Sequence, residues 1–68
     1  MRVRVNEVGG VFGEFEVNAG STVRQALVKA QANVNVSKQI LVNQEEADLD
    51  TVLSNGDSIY VVPNMKGN

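Results

Sequence analysis

Cysteine, histidine and tryptophan are absent, and proline, tyrosine and phenylalanine number one, one and two in 68 residues. Without cysteine there is no disulfide framework to staple so short a chain. Without cysteine or histidine, thiolate and imidazole metal sites, iron–sulfur clusters and every Ser/His or Cys/His nucleophile system are excluded together. No apolar run approaches the roughly 20 residues of a membrane span, and Met1 to Val5 alternates apolar with basic residues instead of forming a signal peptide. Basic charge is also scarce. Six Lys and Arg against eight Asp and Glu give a formal net charge of −2, which argues against nucleic-acid binding. These absences predict a cytoplasmic protein with no metal, no cofactor, no membrane and no nucleic-acid partner.

What is present is valine, thirteen times, in short runs that suit a pleated sheet because the β-branched side chain is stiff. A domain this small buries only about 60% of its unfolded surface, so one economical core is all it can build. Met1, Val3 and Val5 alternate with Arg2 and Arg4, the period-two pattern of a strand buried on one face. Glu7 to Gly13 reads as a turn, and Phe15 and Val17 then alternate with Glu14 and Glu16. The two segments predict a hairpin with Val3 against Phe15, Arg4 facing Glu14 and Arg2 facing Glu16, opposite charges on one face.

Thr22 followed three residues later by Gln25 is the signature of a capping box. A helix is expected there, with Val23, Ala26, Leu27, Ala30 and Val34 on the buried side, ending near Asn33 and Asn35. Ile40-Leu41-Val42 fits a central strand, and Asn43-Gln44 a turn. Glu45, Glu46, Asp48 and Asp50 invite a calcium-loop reading, but position six from Glu45 is Asp50, where such a loop needs glycine. They read as a solvated acidic loop pinned by Leu49, Val52 and Leu53. Asn55-Gly56-Asp57 is a turn signal before a last strand, Ser58 to Val62, which Pro63 closes.

The order strand, strand, helix, strand, acidic loop, strand has one helix to cover one sheet. It predicts an α+β, β-grasp domain over residues 1–63, a mixed sheet of four to five strands with the first and last adjacent, and a flexible tail over 64–68. A ferredoxin-like fold would need a second helix, for which Glu45 to Leu53 is too short and too acidic.

The set Ala19-Gly20-Ser21-Thr22-Val23-Arg24-Gln25-Ala26-Leu27, Ile40-Leu41-Val42-Asn43-Gln44, Leu53-Ser54-Asn55-Gly56-Asp57-Ser58-Ile59, Pro63 and Gly67 resembles the ubiquitin-like sulfur carriers. These include the small subunit of molybdopterin synthase and the thiamine-pathway sulfur carrier. The resemblance runs nearly end to end. It implies a C-terminal thiocarboxylate, made after an ATP-dependent adenylating enzyme activates the terminal carboxylate, with Lys66, Gly67 and Asn68 as the acyl-carrier tail. The family ends in two glycines, and Asn68 stands where the second would be.

Two readings follow. In the first, the chain is a degenerate relative of the carriers, an interaction module working through protein partners, with Arg2, Arg4, Tyr60, Val62 and Met65 as contact candidates. In the second, it is a sulfur carrier or protein modifier. An enzyme acting alone is not expected, because no pair of titratable groups suggests an acid and a base held apart in a pocket.

Overall fold

A computed structural model describes residues 1–32 and 38–63. Five strands and one helix follow in the order β1 (Arg2–Glu7), β2 (Phe12–Glu16), α1 (Val23–Ala30), β3 (Lys38–Val42), β4 (Glu45–Ala47) and β5 (Ser58–Pro63). The sheet runs β2-β1-β5-β3-β4, with β1 parallel to β5 and every other pair antiparallel. This is the β-grasp arrangement expected from the element order: the first and last strands share the middle of the sheet.

The hairpin forms in the expected register, Val3 opposite Phe15, Arg4 opposite Glu14 and Arg2 opposite Glu16. It is longer than the sequence suggested. β1 continues to Glu7 and β2 starts at Phe12, so the turn occupies only the residues between them, with Gly9 at φ 78°. Glu7 shortens the loop by turning its buried carboxylate back to accept from the Val11 N–H at 3.2 Å, while Val11 O accepts from Glu7 N at 2.7 Å.

Thr22 caps α1 as expected. Its hydroxyl accepts from Gln25 N, and Gln25 Oε1 accepts from Thr22 N at 2.8 Å, so two free N–H groups are satisfied reciprocally. The helix is shorter than its apolar spacing implied. Gln31 adopts φ 61°, the left-handed conformation that closes helices, and its N–H and that of Ala32 return to Val28 O and Leu27 O. The expected end at Asn33 and Asn35, and the expected apolar contact of Val34, lie outside the described residues.

The acidic stretch is not simply a loop. Glu45-Glu46-Ala47 pairs with β3 as an edge strand, Leu41 opposite Glu46 and Ile40 opposite Ala47. The reversal that makes this possible is Asn43-Gln44, both at positive φ (53° and 71°), the geometry of a two-residue hairpin turn. Leu53 is buried and Leu49 packs on the core, but Val52 is 63% exposed, anchored by a backbone bridge to Thr22 and not by its side chain. The core lies between α1 and one sheet face: Val3, Val5, Ile40, Ile59 and Val61 from the strands meet Val23, Ala26, Leu27 and Ala30 from the helix. Each large side chain there contributes about 1.5–3 kcal/mol by leaving water.

Candidate functional site

Because strand side chains alternate, the residues between these core positions emerge on the opposite face of the sheet, which α1 leaves open. The registers stack them in rows. Glu14, Arg4 and Ser58 form one, and Glu16 and Arg2 lie beside it with Asn55 beyond. Phe12, Asn6, Tyr60, Leu41 and Glu46 form the next, running across all five strands. Val62 and Gln39 follow, with Val8 continuing β1 alongside as its N–H donates to Val61 O at 3.0 Å.

The face is therefore divided. At the start of β1 and β5 it is charged, and the charges are paired: Arg4 with Glu14 at 3.0 Å, and Arg2 with Glu16 at 3.4 Å and Glu14 at 3.8 Å. Glu16 also meets the Met1 ammonium at 3.5 Å. The Arg2 hydrogen bond first, then the ammonium, hold the Glu16 carboxyl below the usual glutamate range. A shallow depression of about 330 Å³ opens over this end, between Arg2, Arg4, Glu14, Asn55, Ser58 and Tyr60. Toward the end of β5 the face becomes apolar: Phe12 is 77% exposed and Val8 58%, beside half-buried Tyr60, Leu41 and Val62.

Of the expected contact residues, Arg2, Arg4, Tyr60 and Val62 thus share one face, the arginines at its charged end and Tyr60 and Val62 at its apolar end. Met65, Lys66, Gly67 and Asn68 lie outside the described residues. Sequence reasoning missed Val8, Phe12 and Leu41 as members of this surface. The signal for Phe12 was its alternation with Gly13 and Glu14, hidden when the segment was read as turn. Leu41 was masked by its apolar neighbours, Ile40 facing the core and Val42 packed against it.

Among the described residues no three acidic side chains gather to hold a metal ion, and no helix is long and apolar enough to cross a membrane. What this surface offers is contact. An apolar area beside charges that already pair with one another is a surface another protein could cover at modest desolvation cost, with Glu46 left at its β4 edge.

Comparison with known proteins agrees with the architecture. The model of the ThiS family matches residues 4–67. The crystal structure of SAMP1 from Haloferax volcanii superposes with a TM-score of 0.78 at 17% identity, with all of both chains covered. At that identity the likeness is one of fold. No curated protein matches the sequence.

Proposed function

Because this chain belongs to the ThiS family, we propose that it is a ubiquitin-like sulfur carrier or protein modifier that works through protein partners, foremost an ATP-dependent adenylating enzyme. The observation that carries this reading is the extent of the family match, which runs from Arg4 through Gly67 and so takes in the glycine of the tail as well as the domain. In this chemistry a terminal carboxylate attacks the α-phosphorus of ATP, pyrophosphate leaves, and a sulfur donor then displaces AMP from the acyl adenylate to give a thiocarboxylate. The requirement on the tail is a segment slim enough to thread a channel, and Gly67, a residue without a side chain, meets it by its type. Lys66 would pair with acidic groups at the channel mouth, and Asn68, directly or after processing, would deliver the carboxyl group. The apolar end of the open sheet face, Phe12, Tyr60, Leu41 and Val62, would seat the partner, with Arg2, Arg4 and Met65 at its border. Such a carrier would work in the cytoplasm, where ATP is supplied.

A second reading is favoured by one residue. Asn68 in place of glycine adds bulk beside the reacting carboxyl, as expected of a relative that kept the docking face and gave up the transfer chemistry. Intact mass after incubation with an adenylating enzyme, ATP and a sulfur donor separates the two. An acyl adenylate, or one oxygen replaced by sulfur, establishes the carrier. A chain left unmodified by an enzyme shown to be active on its own carrier, yet still binding that enzyme, establishes the interaction module.

A further inference from the structure

Asn55 is the only one of eight asparagines followed by glycine. Asn55 and Gly56 are both exposed, in the turn closed by Asp57 N donating to Ser54 O at 3.1 Å, with Gly56 at φ 90°. With no Cβ on Gly56, nothing screens its nitrogen from the neighbouring carboxamide. Both potential reactants are nevertheless engaged, and by the same residue. Arg2 N donates to Asn55 Oδ1 at 2.9 Å, and Gly56 N donates to Arg2 O at 2.8 Å. With Arg4 N donating to Asp57 O at 2.9 Å, these bonds extend the parallel β1–β5 ladder beyond Ser58, the Asn55 side chain standing in for a main-chain carbonyl.

We infer that Asn55-Gly56 is a deamidation site held shut by the Arg2 main chain, and that its modification unlatches the start of the β1–β5 pairing. In the reaction the Gly56 nitrogen gives its proton to solvent and attacks Asn55 Cγ. The Cγ–Nδ2 bond breaks, ammonia leaves, and the resulting succinimide is opened by water at either carbonyl. One product is aspartate at position 55. The other is isoaspartate, which adds a carbon to the main chain before Gly56, so the Gly56 N–H and the side-chain oxygen can no longer both meet Arg2. The attack needs the Gly56 N–H released from Arg2 O and the carboxamide swung onto it, so it proceeds from the locally opened form. Once isoaspartate has formed, the opening is permanent. Arg2 then loses its bonds on the β5 side only; it stays opposite Glu16 in the β1–β2 ladder, and what comes away from the charged end of the open face is the turn that carries Asn55. The inference is independent of the carrier reading, since it concerns the turn at 54–57 and the start of β1 that it holds, and its test involves no partner.

The experiment ages the full chain in mildly alkaline buffer, folded and in urea, and separates aspartate from isoaspartate at each asparagine by peptide mapping. In urea Asn55 should react fastest of the eight; in the folded chain its rate should fall on the order of tenfold or more, as expected for a reaction gated by local opening. Arg2→Pro, which removes the N–H that holds Oδ1 at a position where a strand's first residue tolerates proline, should restore most of the lost rate. Arg2→Ala, which keeps that N–H, should not. Should Arg2→Pro fail to fold, the wild-type rates decide: the folded rate should equal the urea rate multiplied by the open fraction given by hydrogen exchange of the Gly56 amide. A folded rate above that product, equal folded and urea rates, or equal acceleration by both Arg2 variants overturns the inference.

Discussion

Gly10 packs against the Glu7 carboxylate so closely that a Cβ at position 10 would overlap Oε1 and crowd Cγ. Glu7 is 8% exposed, and its carboxylate accepts from Val11 N, so it cannot move aside without giving up that bond. Gly10→Ala should therefore destabilise the domain by about 1 kcal/mol, the worth of a buried hydrogen bond. Urea unfolding checks this, and the same substitution made on top of Glu7→Ala should cost distinctly less.

The capping box is a second local device with a measurable share. Thr22→Ala removes the acceptor for Gln25 N and should cost about 1 kcal/mol. Because Gln25 reaches back to Thr22 N, the double substitution Thr22→Ala with Gln25→Ala should cost less than the two singles added together. Equilibrium unfolding of the three variants gives the coupling.

Glu16 predicts a pH dependence. Its carboxyl is held low by Arg2 and then by the Met1 ammonium, so the folded chain releases this proton more readily than the unfolded one. The stabilisation is therefore full above the ordinary glutamate value of 4.5 and is lost as the pH falls through the lower folded value. Glu16→Gln should flatten the decline of stability in that acid window and leave its slope near neutrality unchanged. As the group is exposed, added salt should shrink the difference.

Leu27 is fully buried where α1 meets the sheet. Leu27→Ala should cost roughly 2–5 kcal/mol, transfer and cavity together. For a domain of this size that approaches the whole stability, so the variant should melt far below wild type in a thermal scan followed by circular dichroism.

On the open face the expectation reverses. Phe12→Ser and Tyr60→Ala should leave stability within about 1 kcal/mol of wild type, because neither side chain reaches the core between sheet and helix. If the apolar end seats an adenylating enzyme, both should weaken that complex, Tyr60→Ala by about 1–2 kcal/mol. Calorimetric titration of the enzyme with each variant reads this; unchanged affinity for both would move the docking surface elsewhere.

The hairpin register, the capping box and the central pairing of first and last strands were legible in the sequence because each is set by close neighbours or by element order. The Arg4–Glu14 pair is an example: alternation fixed the face and charge fixed the register. What stayed hidden was decided at longer range. Glu45 and Glu46 have little intrinsic preference for a strand, and become one because Asn43 and Gln44 reverse the chain against β3, an edge where charged residues are at home. The same pairing makes β3 interior, with Lys38 opposite Pro63 in the ladder, and leaves β4 as the edge. α1 ended early because Gln31 turned left-handed, a choice that helical periodicity does not register. Of the site, Arg2, Arg4, Tyr60 and Val62 were placed on one face by alternation alone, while Phe12 and Leu41 needed the sheet to be assembled.

The pairing of β1 with β5 also orders events during synthesis. Val5 lies beside Ile59 in the centre of the sheet, more than fifty residues downstream by their numbering. A ribosome extruding this chain releases the hairpin early, with one edge of β1 bare and Val3 and Val5 without the strand that completes their surroundings. The nascent domain must wait with that edge open until Ser58 to Pro63 emerge, then close in a single late step. In the interval, a chaperone or a neighbouring nascent chain competes with β5 for the same row of backbone groups. The interval before β5 reaches β1 is therefore when the chain is most open to wrong partners, whatever the stability of the finished fold.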